Sequence, residues 1–328
     1  MMADTHNSTD RPQLVAESPS SQRWLAYSQE RFPLLQYGIL IFSFYSSNQF
    51  LAHTLTSPGE PMTYNLSSLL GAITLLCLFF HLRVFDDHKD FEDDCRHFPD
   101  RVLQRGIVTL RGLKVLGGVA IAIELLLSAA WSLAALVSVV LALGFSLLMA
   151  KDFFARKWLK RHFLVSASTH MLIMPLFAVV IFSFATRRYF WEVPGWFWIY
   201  SAVGFFVAFN WEVSRKIRVP EDEIEGLDSY SKVFGAYGAA YVVLLIRVID
   251  TGLVALVGYH LQFSSWFFVA LGGLFAICMV GFAQYRFRTS SKTAKRMEAY
   301  AGMYIIVFDM TLVIELARIH GVNWSGAA

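Results

Sequence analysis

The chain has 328 residues, 56% of them hydrophobic and only 16% charged. That balance excludes an ordinary soluble domain and points to a polytopic membrane protein. The formal charge of +3 decides nothing as a sum, nucleic acid is not expected as a partner, and three cysteines (Cys77, Cys95, Cys278) exclude a disulfide framework.

Residues 1–31 are polar, rich in Ser, Asp, Gln and Arg, and have no apolar core of signal-peptide length. They read as a flexible or surface-lying tail. Apolar runs at 34–54, 65–85, 107–128, 131–150, 164–186, 195–213, 233–256, 264–285 and 298–318 predict about nine transmembrane helices in one all-α domain over 32–320, with a short tail over 321–328. Nine spans put the termini on opposite sides. Of the 28 lysines and arginines, 24 fall on the side of the N-terminus, whereas the other side has only Arg187, Arg188 and Arg318. The positive-inside rule then makes the N-terminus cytoplasmic, in the cell inner membrane if the source is bacterial. Asn65-Leu66-Ser67 fits a glycosylation sequon by chance, in a short loop between the first two spans.

The second span runs into Arg83-Val84-Phe85-Asp86-Asp87-His88-Lys89-Asp90-Phe91-Glu92-Asp93-Asp94, in which six of twelve residues are acidic. On a helix, Asp87, Asp90 and Asp94 stand at i, i+3 and i+7, so their carboxylates share a face and repel unless a cation sits among them. Two readings follow: a divalent ion such as Mg²⁺, which takes hard oxygen ligands, or a solvated acidic loop. After the fourth span comes Lys151-Asp152 and then Arg156, Lys157, Lys160 and Arg161, a basic loop that also suits anionic lipid head groups. The sixth span ends in Asn210-Trp211-Glu212-Val213-Ser214-Arg215-Lys216, and the acids Glu221, Asp222 and Glu223 follow Pro220. Glu212 at the end of a membrane helix is costly without a partner, whereas Arg215, Lys216 and Arg218 also read as topological charge. Spans 2–3 and 6–7 thus look like two copies of one hairpin, whose charged ends share a membrane face. Deeper in the spans, Arg247 and Asp250 are spaced to neutralise each other. Glu124, His170, Asp309 and Glu315 are expected to face the interior.

Arg83-x-x-Asp86-Asp87-x-x-Asp90-x-x-x-Asp94 resembles the first aspartate motif of the UbiA superfamily of intramembrane prenyltransferases, and Phe98-Pro99-x-Arg101-Val102-Leu103-Gln104-Arg105-Gly106 is similar to its continuation. The resemblance implies a helical bundle with two motif-bearing cytoplasmic loops, whose cavity opens to the cytoplasmic leaflet. It implies Mg²⁺ held by Asp87, Asp90 and Asp94, with Asp86 in the family's usual Asn position. Arg83 and Arg101 would steady a prenyl diphosphate or the carboxylates, and Lys157, Lys160 and Arg161 would draw the diphosphate in. In the second motif Glu212 fits the first acidic position, but Lys216 stands where another acid is expected. Either Arg215 and Lys216 take over part of the phosphate neutralisation, or the run around Asp222 folds back to complete a metal site. Asp87, Asp90, Asp94 and Glu212 are the implied catalytic set. The implied reaction moves an isoprenoid group from the diphosphate to a hydrophobic or aromatic acceptor within the membrane lipid. A cyclase that ionises a prenyl diphosphate without an acceptor is the nearest alternative. A non-enzymatic transporter or lipid-binding bundle is the second, and it predicts acids spread through the membrane depth.

Overall fold

The computed structural model describes residues 18–323. Its long helices are α2 (Leu34–Thr56), α3 (Leu66–Lys89), α5 (Leu110–Trp131), α6 (Leu133–Ala150), α8 (Phe163–Met171) continued by α9 (Ile173–Thr186), α10 (Gly195–Arg215), α11 (Tyr230–His260), α12 (Ser265–Phe287) and α13 (Ser291–His320). Each falls on one of the predicted apolar runs. Shorter helices α1 (Ser20–Arg31), α4 (Phe91–His97) and α7 (Arg156–Arg161) carry charge outside those runs.

Local chemistry sets the boundaries. Asn65 caps α3, its side chain accepting the Ser67 and Ser68 N–H groups, so the sequon asparagine serves as a helix cap. Thr109, Ser132, Ser229 and Ser290 cap α5, α6, α11 and α13 in the same way. The fifth span is broken between α8 and α9 because Pro175, in the first turn of α9, has no N–H for the Met171 carbonyl and its ring crowds that group. Gly235, at φ 70° and ψ 162°, bends α11 just after its first turn.

Seven of these helical segments among the described residues are long and apolar enough to cross a membrane. The chain is therefore a multi-pass integral membrane protein. The other two long helices, α2 and α10, fall short of that hydropathy and carry many buried polar side chains. On α2, Ser43, Ser46, Ser47, Asn48 and Gln49 are all buried, and on α10 so are Ser201, Asn210 and Glu212. Polar groups inside a membrane protein are tolerable where they face protein, not lipid. The helices run round a closed circuit in which α13 returns to pack on α2, while α2, α9, α10 and α13 pack on one another inside. Outward-facing side chains are large and apolar, among them Leu35, Leu126, Leu133 and Val269.

Close approach of α2 and α3 depends on Gly71. A Cβ there would collide with the Tyr45 hydroxyl, which is buried and bonded to the Ser67 carbonyl at 3.3 Å. Gly71→Ala is expected to cost about 1–3 kcal/mol by forcing the two helices apart, read as a lower midpoint of thermal unfolding in detergent. An unchanged midpoint would show that Tyr45 yields freely.

Within the segment read as a flexible or surface-lying tail, Ser20–Arg31 form α1. Its Tyr27 side chain packs with Val84, Val102, Leu103, Ile107 and Leu113. Residues 1–17 and 324–328 lie outside the described residues. Of the C-terminal tail, Val322 and Asn323 pair as a parallel two-residue strand with Met62 and Thr63.

Candidate functional site

The acidic stretch stands at the end of α3 and does not continue it as one helix. Asp90, at φ −99° and ψ 5°, is both the C-cap of α3 and the residue preceding α4. The Asp94 N–H reaches the Asp90 carbonyl at 2.8 Å, the first hydrogen bond of α4. Asp87 and Asp94 turn to a common point, but that point is held by a guanidinium. Arg31 of α1 donates from Nε to Asp87 Oδ1 at 3.0 Å, from Nη2 to the same oxygen, and from Nη2 to Asp94 Oδ2 at 3.3 Å. Arg83 adds a 2.9 Å bond to Asp87 Oδ1, and the Tyr27 hydroxyl donates to Asp87 Oδ2 at 2.6 Å. Arg101 donates to Asp94 Oδ2 at 2.9 Å, with its guanidinium stacked 3.7 Å above the Phe98 ring. Asp87 is only 1% exposed, and burying a carboxylate that deeply is tolerable only with such partners.

The electrostatics reflect the crowding. Burial, helped by the Asp87 carboxylate, pushes the Tyr27 phenol up. Burial and the facing Arg31 charge lower the Arg101 guanidinium. Asp90 differs from its neighbours. It has neither an ion pair nor a side-chain hydrogen bond among the described residues. Burial, then the carboxylates of Asp86, Asp94 and Asp152, push its acid above the ordinary value of 3.8, with only Lys89 acting against them.

The basic loop lies against this stretch. On α7, Lys160 Nζ is 3.6 Å from Asp93 Oδ2, and Arg156 Nη2 is 4.0 Å from the same oxygen. Lys157 and Arg161, on the same helix, are exposed and make no ion pair among the described residues. Lys89 reaches Asp86 at 3.8 Å, Asp152 at 3.5 Å and His170 Nε2 at 3.3 Å, which ties the loop before α7 to the end of α3. His170 therefore sits at this charged end of the bundle.

The second charged stretch meets the first without sharing a ligand with it. Arg215 lies near enough to Arg83 for their charges to repel, and Tyr37 of α2 lies within reach of both. Below them the loops touch: a Cβ on Gly226 would come within 3.1 Å of His97 Nε2. Glu212, however, is consumed locally. Arg215 holds its Oε2 at 2.5 Å and Lys216 its Oε1 at 2.6 Å, at i+3 and i+4 on one helical face. Both oxygens expected for a metal are thus neutralised by the two cations expected for phosphate. Asp222 is exposed in a 3₁₀ turn after Val219 and joins no carboxylate cluster, while Glu223 bonds Ser229 at 2.6 Å and lies 3.8 Å from Lys232. Among the described residues, Asp222 and Glu212 belong to no group of three acids, His or Cys that could hold a metal.

Among the described residues no three His, Cys, Asp or Glu side chains stand close enough together to hold a metal ion. The donor chemistry nonetheless fits a hard divalent cation. Asp86, Asp87, Asp90 and Asp94 supply only carboxylate oxygens, and Asp90 is partly buried with no cation of its own. Two of its members, Asp87 and Asp94, are already bridged by Arg31.

Deeper acids are each held by protein partners. His81 joins Glu124 at 2.7 Å and Ser146 at 2.9 Å. Arg247 joins Asp250 at 3.0 Å, as its spacing implied. Asp309 accepts from Ser47 at 2.6 Å and Tyr200 at 2.9 Å, and Glu315 accepts from the Ser264 N–H at 2.6 Å and from Arg318. Acids do occur through the depth of the bundle, but as separate, internally paired clusters. The residues that sequence reasoning missed are Tyr27 and Arg31. Trp24, Tyr27 and Arg31 recur at i, i+3 and i+7, and that single-face periodicity in a polar segment was the available signal.

The model of the UbiA prenyltransferase family matches residues 43–306. Comparison with curated proteins returns no match. Among solved structures, a UbiA homologue from Aeropyrum pernix K1 is similar at 18% identity and a TM-score of 0.64, over 84% of this chain and 98% of that one. A structure described for the biosynthesis of digeranylgeranylglyceryl phosphate synthase in membranes gives 18% identity and 0.62, over 90% and 99%. A UbiA homologue from Archaeoglobus fulgidus, solved bound to GPP and Mg²⁺, gives 13% and 0.52, over 89% and 99%. At these identities the likeness concerns the fold.

Proposed function

The chain belongs to the UbiA prenyltransferase family, and from that premise we propose that it moves an isoprenoid group from a prenyl diphosphate to a hydrophobic or aromatic acceptor in the membrane. The observation that carries this reading is the concentration of Asp86, Asp87, Asp90, Asp93 and Asp94 against Arg83, Arg101 and Lys160 at one end of an apolar bundle. A diphosphate needs positive charge to bind and still more as it departs, whereas its isoprenoid chain needs an apolar lining. At this end of the molecule the charge stands at the edge of an apolar bundle.

Asp86, Asp87, Asp90 and Asp94 would hold Mg²⁺, as the homologue bound to GPP and Mg²⁺ suggests by analogy. Bound there, Mg²⁺ supplies positive charge against the leaving diphosphate. Arg83 and Arg101 orient the phosphate oxygens with their planar forks. Lys157, Lys160 and Arg161, exposed on α7, draw the anion in. Arg215 and Lys216 stay with Glu212 and contribute field without acting as free phosphate ligands. The interior of the bundle keeps water from the allylic carbon once its C–O bond breaks. The charged end is cytoplasmic, because 24 of 28 lysines and arginines fall on that side.

The test is Mg²⁺-dependent diphosphate release by the purified protein across prenyl chain lengths, with products identified by mass spectrometry. Release that needs both Mg²⁺ and an added acceptor is the expected result. A cyclic hydrocarbon or alcohol formed from the diphosphate alone would instead make the protein a cyclase. No release at any chain length would sink both readings.

A further inference from the structure

Helix α1 places its buried face on the first acidic stretch and on the segment that follows. The Tyr27 hydroxyl bonds Asp87, both Glu30 carboxylate oxygens accept the Val102 N–H at 3.2 Å, and Arg23 Nη1 donates to the Ile107 carbonyl at 3.4 Å. These contacts fix where Arg31 stands at the end of the helix. Its side chain is 8% exposed, and among the described residues it alone bridges Asp87 and Asp94. Arg83 touches Asp87 but not Asp94, and Arg101 touches Asp94 but not Asp87.

A cation shared by two converging carboxylates is what keeps them together, since without one they repel. A divalent ion ligated by Asp87 and Asp94 requires the oxygens that Arg31 occupies, Asp87 Oδ1 and Asp94 Oδ2. Guanidinium and metal therefore compete for one position. Resting on the metal-dependent reading above, we infer that Arg31 is the built-in counter-ion of the metal-free site and that metal loading displaces it, which frees its guanidinium at the charged end of the bundle and loosens the end of α1. Metal affinity and the docking of α1 are then linked with opposite sign, and each weakens the other. Only the pairing of carboxylates changes; no covalent bond is made or broken.

The experiment uses the full chain in detergent, with Mn²⁺ as the ion and its electron paramagnetic resonance signal reporting the free concentration. Arg31→Gln is expected to bind Mn²⁺ about tenfold more tightly than the unsubstituted protein. Arg31→Lys, which restores the charge, should return toward the original affinity. Hydrogen exchange at the α1 amides of the unsubstituted protein should quicken when Mn²⁺ is added, a measurement that stands even where Arg31→Gln folds poorly. Equal or weaker Mn²⁺ binding by Arg31→Gln, or α1 amides equally protected with and without the ion, would overturn the exchange and leave the metal-dependent reading standing. Failure of the unsubstituted protein and the Gln variant alike to bind Mn²⁺ would overturn that reading, and this inference with it.

Discussion

Asp90→Asn is expected to lower Mg²⁺-dependent diphosphate release by roughly 10²–10³-fold while leaving the melting temperature at or above that of the unsubstituted protein. The second half of this result follows from linkage. A carboxyl whose acid strength is weakened on folding holds its proton more readily in the native state than in the unfolded one, so ionising it at neutral pH costs stability. Asp90 is such a group, raised above 3.8 by burial and by Asp86, Asp94 and Asp152. The neutral amide removes that cost. The same shift sets the direction of a pH effect on activity: protons compete for Asp90, and its metal-supporting charge is lost at a higher pH than for an aspartate without the shift. Asp87→Asn gives a contrasting result. It strips the carboxylate charge from two guanidiniums, of Arg31 and Arg83, and weakens the bond from Tyr27, so activity and stability fall together. Activity assays and thermal melts on the two variants distinguish them. Full release by Asp90→Asn would remove this residue from the chemistry.

Asp250→Ala is expected to destabilise the protein by about 3–5 kcal/mol, whereas replacing the whole pair, Arg247→Met with Asp250→Leu, recovers most of that loss. Arg247 is 1% exposed and stands near the middle of α11. Its Nη1 bonds Asp250 Oδ2 at 3.0 Å, its Nη2 bonds Asn210 Oδ1 at 2.8 Å, and its guanidinium rests 3.6 Å above the Tyr304 ring. Asn210 in turn donates to the Val243 carbonyl at 2.7 Å. This network joins α10, α11 and α13. Removing one charge leaves the other buried without compensation; removing both leaves apolar surface. Unfolding in detergent by heat or denaturant measures both, and a single variant no worse than the pair would contradict the account.

How far the molecule was legible beforehand depends on the range of the interactions involved. Apolar runs long enough to span lipid force helices, because every backbone polar group must then be satisfied within its own segment. That is why each of the runs from 34–54 to 298–318 reappears as a helical segment, five of them starting at a capping Asn, Ser or Thr. The pairing of Arg247 with Asp250 was legible for the same reason, since both lie on one helix. The neutralisation of Glu212 was equally legible, because Arg215 and Lys216 stand at i+3 and i+4 on the same helix.

The first aspartate stretch shows the limit. Its residue types and spacing already marked it as a place that requires positive charge. Which cation meets that requirement in the folded chain is decided by Arg31, 56 residues before Asp87 in a segment with no apolar run. No local pattern connects those positions. They meet because Trp24 and Tyr27 bury one face of α1 against the Val102–Leu113 region, and that packing exists only once the helices around it are assembled. Sequence alone determined the membrane helices and the acidic stretch, since both follow from short-range rules of hydropathy and charge. Only the tertiary structure decided that a guanidinium bridges Asp87 and Asp94, because long-range packing brings it there.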